Sequence, residues 1–218
     1  MIRKIRILNN AQIAQLMKIA ASANYVDGKI SNPHSKVKNN QQLHDPQAYQ
    51  QTSKLLFDAL VANPEFHEFA FPQRVAPPLM TKYGVGQNYG LHPDSATINL
   101  PDGPLRSDLS CTIFLNEPDR YEGGALHIRL GDDDLRFRLD AGRAVIYPSN
   151  TLHEVEPVTS GERHVAITFI QSKIADNAKR DLLFDLNEVA ALEGNNMTAE
   201  NFSRLQLVQY NLMRMWGA

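Results

Sequence analysis

A single cysteine, Cys111, stands in a chain of 218 residues. One thiol can neither close a disulfide within the chain nor build a thiolate zinc cluster, so a metal held here needs nitrogen and oxygen ligands. Neither sign of charge dominates, since 22 Lys and Arg against 24 Asp and Glu leave a formal charge of −2. Phosphate backbones and anionic lipids call for a basic footprint, so no nucleic-acid or membrane partner is expected. Long hydrophobic runs are also missing. The start MIRKIRILNN gives way to the amphipathic AQIAQLMKIA, which argues against a signal peptide or a membrane span and makes the cytoplasm the expected compartment. Glycine and proline, 12 of each, are scattered without a period, and there is no repeat or low-complexity tract. What is present, 43% hydrophobic and 21% charged residues, is a globular composition long enough to bury a core.

Residues 1–75 read as a helical support region. Asn10 to about Ala23 carries Ile13, Leu16, Met17 and Ala20 at helical spacing behind Asn10 as N-cap, and VDG at 26–28 ends it. SNPHSKVKNNQQLHD reads as a polar, structureless loop. PQAYQQTSKLLFDALVAN then returns to helical period through Tyr49, Leu55, Leu56, Ala59 and Leu60, ending at Pro64, so two N-terminal helices are expected. From about Ala76, β-branched and aromatic residues come in short runs: MTKYGVG, SATINL, CTIFLN, ALHIRL, LRFRL, AVIYP, HEVEPV and HVAITFIQ. Eight short strands without intervening helices exclude a βαβ sheet and favour a jelly roll over residues 76–172. Over residues 173–218 the helical period resumes, with Ile174, Ala178, Leu182, Leu186 and Val189 as one stripe. A second stripe, Phe202, Leu205, Val208, Leu212 and Met215, follows Thr198. The fold class is therefore α+β, a jelly roll flanked by helices at both ends, and the last stripes suit packing on the sheet or a homodimer contact.

In GLHPDSATI, His92 and Asp94 are two residues apart at what reads as a strand edge, where i and i+2 side chains share a face and can share an ion. An isolated H-x-D is more often a surface pair in a Pro-containing turn. A third ligand is available in His153, where the apolar strand AVIYP turns and delivers a histidine to the next strand. Two histidines and one carboxylate make a facial triad suited to non-haem iron(II), and zinc accepts the same set. Arg163 follows ten residues after His153. Whether the two strands pair as a hairpin or face each other between sheets roughly 10 Å apart, the guanidinium reaches the same cavity. A dicarboxylate such as 2-oxoglutarate would span metal and Arg163, because arginine grips a carboxylate with two donors. The plainer expectation for Arg163 alone is an exposed strand residue paired with Glu154 or Glu162.

Other polar residues carry less. His127 and His164 read as surface or half-buried strand residues, with His127 a decoy for a triad search. Cys111 reads as a small core hydrophobe. GDDDLR lacks the spacing of a calcium loop and reads as a solvated hairpin turn. The Lys38–Gln42 stretch KNNQQ either lines a substrate entrance or merely connects.

YGVGQNYGLHPD, YEGG, YPSNTLHEVEPVTSGER and FIQS, with VDGKIS and VKNNQQ nearer the N-terminus, resemble the iron(II)- and 2-oxoglutarate-dependent dioxygenases of the prolyl/procollagen-lysine hydroxylase (PKHD) type. The likeness is to a bacterial subgroup with a C-terminal helical region, here ending NLMRMWG, and spans nearly the whole chain. It implies a double-stranded β-helix, iron on His92, Asp94 and His153, and the far carboxylate of 2-oxoglutarate on Arg163 with Tyr83 as second donor. It also implies hydroxylation of a substrate with release of succinate and CO2, ascorbate (vitamin C) being an optional addition. Two departures from the family pattern stand out: Ala125 where relatives commonly have Glu after the glycine pair, and Thr168 and Phe169 in place of an aromatic pair. Two rival readings remain at this point, a jelly-roll iron-binding sensor and a zinc hydrolase. Arg163 speaks against both, since neither needs a carboxylate clamp. Nothing in the sequence marks a peptide groove, so a small molecule and a peptidyl residue are both open as substrate.

Overall fold

The computed structural model describes residues 1–217. From the N-terminus run β1 (Arg3–Arg6), α1 (Asn10–Ser22), β2 (Tyr25–Asp27), a 3-10 turn over Gly28–Ser31, β3 (Lys38–Asn39), β4 (Gln41–Leu43), α2 (Pro46–Val61) and α3 (Pro64–Ala70). The strand-rich centre holds β5 (Pro72–Val75), β6 (Leu79–Tyr83), β7 (Asn88–His92), β8 (Thr97–Leu100), β9 (Gly103–Arg106) and β10 (Leu109–Phe114). It continues with β11 (Tyr121–Gly123), β12 (Leu126–Leu130), β13 (Asp133–Phe137), β14 (Arg143–Pro148), β15 (His153–Val155), β16 (Val158–Gly161) and β17 (Arg163–Ser172). The helices α4 (Asn177–Glu193) and α5 (Ala199–Trp216) follow.

Several local expectations are corrected. Asn9, not Asn10, caps α1: its side chain accepts from the Gln12 amide at 2.9 Å while the Gln12 side chain accepts from the Asn9 amide, a reciprocal pair that fixes the start one residue earlier. Pro64 ends nothing by itself. With Asn63 as N-cap it opens a third N-terminal helix, α3, because a proline in the first turn forgoes an amide that has no intrahelical partner anyway. The supposedly structureless stretch contains β3 and β4, which are short and polar and are held by distant partners, β7 and β6. The first C-terminal stripe is out of phase. Leu182 and Val189 are exposed, whereas Arg180, Leu183 and Phe184 face inward. Arg180 can be buried because its guanidinium donates to the Ile174 carbonyl at 3.0 Å and to Asn177. The GDDDLR hairpin is as expected, with Leu130 opposite Asp133 and Gly131 at a φ of +62° supplying the tight turn.

Two antiparallel sheets form the jelly roll. The larger runs β1-β14-β10-β17-β6-β4-β2, with β5 added to β17, and the smaller runs β13-β12-β15-β7-β3. Strand β10 shows why they stack. All six of its residues are buried, and alternate residues face opposite ways: Leu109, Cys111 and Ile113 join the core beneath the helices, while Phe114 joins the core between the sheets. Ser110 and Thr112 share the inward phase of Phe114 and bring polar groups into the space between the sheets.

The helix-side core takes residues from all along the chain, among them Leu16, Leu56, Phe69, Ile146, Ile170 and Phe184. Phe69 and Phe184 meet edge to face with ring centres 5.7 Å apart. Removing residues 173–218 strips Ile174, Leu183 and Phe184 from this core. Each contributes roughly 1.5–3 kcal/mol, a total comparable with the stability of a whole domain. The truncated chain is expected to aggregate on expression; a soluble, cooperatively melting and active product ending at Ser172 would show that the C-terminal helices are dispensable.

Candidate functional site

His92 is the last residue of β7 and His153 the first of β15, and the antiparallel register sets them directly opposite each other. Their ring centres lie 4.4 Å apart. Asp94 is not on the strand as the H-x-D spacing suggested: it lies in the loop after Pro93, and a hydroxyl from the facing sheet brings it in. Ser110 Oγ donates to Asp94 Oδ2 at 2.5 Å and also meets Ser149 Oγ at 2.7 Å, which Ser107 Oγ approaches at 2.9 Å. This chain of hydroxyls orients the carboxylate. One ligand atom from each of His92, Asp94 and His153 lies within 4.8 Å of the others, a span that one cation at about 2.0–2.5 Å from each donor can bridge. His153 Nε2 and Asp94 Oδ2 are 3.6 Å apart.

The protonation states suit a cation. His92 Nδ1 donates to the Gly90 carbonyl at 2.7 Å and His153 Nδ1 to the Thr151 carbonyl at 3.1 Å, which leaves each Nε2 with a lone pair. Burial, and then the neighbouring His153, push the His92 pKa down to about 4, so the imidazole is neutral at physiological pH. Tyr89 stacks on His92 with ring centres 3.6 Å apart and fixes the ring plane.

Arg163 opens β17 in the other sheet, so the two candidate groups face each other between sheets instead of pairing in a hairpin. It is 1% exposed, and Nε, Nη1 and Nη2 all lack a hydrogen-bond partner. Its cross-strand neighbour is Tyr83, whose ring centre is 5.0 Å from the guanidinium carbon, with Phe114 at 5.5 Å. Gly124 lies against the stem: at a φ of +61°, an added Cβ would stand 3.1 Å from Arg163 Cδ. The expected surface pairs are not formed. Glu154 accepts from His127, while Glu162 is taken by His164 and Lys82. An unpaired buried guanidinium is costly, and an anionic ligand is what would relieve it.

A cavity of about 50 Å³ is lined by the triad, Tyr83, Tyr147, Thr168 and Phe169, with Lys38 and Asn40 from the N-terminal region; Arg163 is not part of this wall but is the cross-strand neighbour of Tyr83, which is. The KNNQQ stretch is thus part of the wall. Burial lowers the Lys38 pKa below its ordinary value. Of the two family departures, Thr168 and Phe169 line the cavity and Ala125 does not. His127 lies outside the cluster; 4% exposed, and so neither surface nor half-buried, it sits 2.8 Å from Glu154 and 2.9 Å from Asp134. His164 Nε2 is 2.5 Å from Glu162. Cys111 is buried in the core and its thiol pKa is pushed up to about 12 by burial. Sequence reasoning missed Ser110, Tyr89 and Tyr147. A usable signal existed for Ser110, a hydroxyl at an inward position of an otherwise apolar strand.

Residues 78–171 match the family model described as the 2OG-Fe(II) oxygenase superfamily. A PKHD-type hydroxylase of Sphingopyxis alaskensis is 60% identical over 216 residues, covering 99% of both chains. Another, from Janthinobacterium sp. strain Marseille, is 38% identical over 218 residues, covering 97% of this chain and 96% of the relative. Among solved structures, a Pseudomonas putida prolyl-4-hydroxylase aligns with a TM-score of 0.55 and 19% identity, covering 78% of this chain and 92% of that one. HygX of Streptomyces hygroscopicus, solved with nickel, 2-oxoglutarate and hygromycin B, aligns with a TM-score of 0.53 and 11% identity, covering 78% and 82%. The structural likenesses carry the jelly-roll fold. The full-length sequence identity carries more: this chain belongs to the PKHD-type hydroxylases, a group of 2-oxoglutarate- and iron(II)-dependent dioxygenases.

Proposed function

We propose that His92, Asp94 and His153 hold the iron(II) of this dioxygenase and that Arg163, with Tyr83, holds the far carboxylate of 2-oxoglutarate. The observation that carries the reading is Arg163, buried with every nitrogen unpaired in the sheet facing the His-Asp-His cluster. Two imidazoles and one carboxylate are a donor set that suits ferrous iron and would leave coordination positions for a chelating keto acid. Iron with 2-oxoglutarate and O2 supplies the oxidising power, converting the keto acid to succinate and CO2 as a C–H bond is hydroxylated.

The chain's own residues do the rest. The Gly90 and Thr151 carbonyls keep both imidazoles in the tautomer that presents Nε2. Ser110, backed by Ser149, keeps Asp94 turned toward them. Arg163 offers a planar fork to the distal carboxylate, and the Tyr83 and Phe114 rings hold that fork in place. Leu126, Val155, Ile167 and Phe169 make much of the cavity wall apolar, which limits water around the reacting atoms. Within this reading residues 76–172 are the oxygenase core, with 1–75 and 173–218 supporting it. Ascorbate serves as an external reductant, and a reducing cytoplasm suits a ferrous site.

The test is stoichiometry. Protein loaded with iron(II) should release succinate from 2-oxoglutarate in air, and the release should stop on chelation and return with iron. Turnover that persists with zinc in place of iron would refute the assignment.

A further inference from the structure

Lys38 is the one cationic side chain of the cavity wall that the chemistry above does not use. It is 6% exposed, on a strand edge opposite Tyr89. Its ammonium donates to Ser31 Oγ at 2.8 Å and lies 5.4 Å from the centre of the Tyr89 ring, the ring that stacks on His92. Among the described residues no carboxylate lies within 4 Å of it; Asp27, which caps the Lys29 amide, and Asp94, which takes the Ser110 hydroxyl, act on it only from farther off. The 3-10 turn is shaped to seat it. A Cβ on Gly28 would stand 1.9 Å from Asn40 Oδ1 and 3.1 Å from Lys38 Cε, so only glycine leaves room for both cavity-lining side chains.

Charge decides what this lysine is for. On the assignment proposed above, the two positive charges of iron and the one of Arg163 are matched by Asp94 and the two carboxylates of 2-oxoglutarate. The ammonium of Lys38 takes no part in that set and has only the Ser31 hydroxyl in direct contact, with Asp27 farther off, in a site where an incompletely paired charge is expensive. We propose that the molecule hydroxylated by this enzyme is a carboxylate-bearing compound whose carboxylate is received by Lys38. The inference rests on the oxygenase assignment and names the substrate class for that same site. A carboxylate brings one negative charge to one ammonium, whereas a phosphate brings about −1.5 to −2. A lysyl side chain would meet Lys38 as a like charge.

The experiment uses the full chain loaded with iron(II) and 2-oxoglutarate without oxygen, ultrafiltered against an extract of soluble metabolites, with retained compounds identified by mass spectrometry. The same mixtures are then aerated and searched for products heavier by one oxygen. Lys38→Met keeps the apolar stem and removes the charge; Lys38→Arg restores a charge, and melting curves confirm that both fold. The expected result is that retained and oxygenated compounds carry a carboxylate. Lys38→Met should lose their retention by about 30-fold or more, with Lys38→Arg recovering part and iron content and 2-oxoglutarate affinity unchanged in both. Oxygenated compounds that are uncharged, cationic or phosphorylated would overturn the proposal. So would the absence of any oxygenated acid, undiminished retention by Lys38→Met, or a fall in its 2-oxoglutarate affinity, which would assign the lysine to the co-substrate. Wild type that fails to bind 2-oxoglutarate would remove the oxygenase assignment itself, and the proposal with it.

Discussion

Arg163→Leu is expected to bind 2-oxoglutarate roughly 30-fold to several thousandfold more weakly than wild type while still binding iron. The substitution removes all five donors of a guanidinium that is 1% exposed and has no protein partner, and it leaves His92, Asp94 and His153 untouched. Losing a charge-assisted pair in a closed pocket costs about 2–5 kcal/mol, part of it from the ligand carboxylate left unmatched, and each 1.4 kcal/mol is about tenfold in affinity. The apo protein should not suffer. Replacing a buried, unpaired charge between the Tyr83 and Phe114 rings by an apolar side chain is expected to raise the melting temperature. Arg163→Lys should recover only part of the affinity, since an ammonium supplies charge without the planar fork. Calorimetric titration under anaerobic conditions, run on all three proteins, reads these affinities; equal binding by wild type and Arg163→Leu would take the co-substrate away from this residue.

The second large effect is on the metal. Asp94→Ala removes the sole anionic member of the cluster and should abolish iron retention through gel filtration, a loss exceeding the 10- to 100-fold typical of an outer-shell partner. Ser110 and the two histidines keep their places, because His92 and His153 are fixed by their strand register and by the Gly90 and Thr151 carbonyls. Iron content measured colorimetrically on the eluted protein decides the matter. One equivalent of iron retained by Asp94→Ala would mean that the cluster is not the iron site.

The chemistry was easier to read from the sequence than its frame. A histidine two residues before an aspartate, a distant histidine after an apolar strand, and an arginine ten residues further on stood out because such residues are conspicuous among short apolar strands. What spacing could not convey was how they meet. Asp94 looked like a strand partner of His92 but is brought in by Ser110 from the opposite sheet, a contact between residues sixteen apart that no local pattern encodes. The hairpin-or-sandwich choice for Arg163 likewise depended on long-range pairing. Strands β3 and β4 escaped because two- and three-residue polar segments have no strand signature; their pairing with β7 and β6 makes them strands. The phase of α4 was misread because a buried arginine occupies an inward position that an apolar stripe would have claimed. Asp94 and the β3–β4 segment are held by distant chain, whereas Arg180 is satisfied locally, by Ile174 and Asn177 six and three residues away.

The most direct measurement is the visible charge-transfer absorbance that forms when 2-oxoglutarate chelates ferrous iron, followed anaerobically as the keto acid is added to iron(II)-loaded wild-type protein. The predicted result is a band that saturates at one 2-oxoglutarate per chain, is absent in Asp94→Ala, and needs far higher concentrations in Arg163→Leu. Iron bound without any such band, or a band that titrates identically in wild type and Arg163→Leu, would contradict the placing of metal and co-substrate between His92, Asp94, His153 and Arg163.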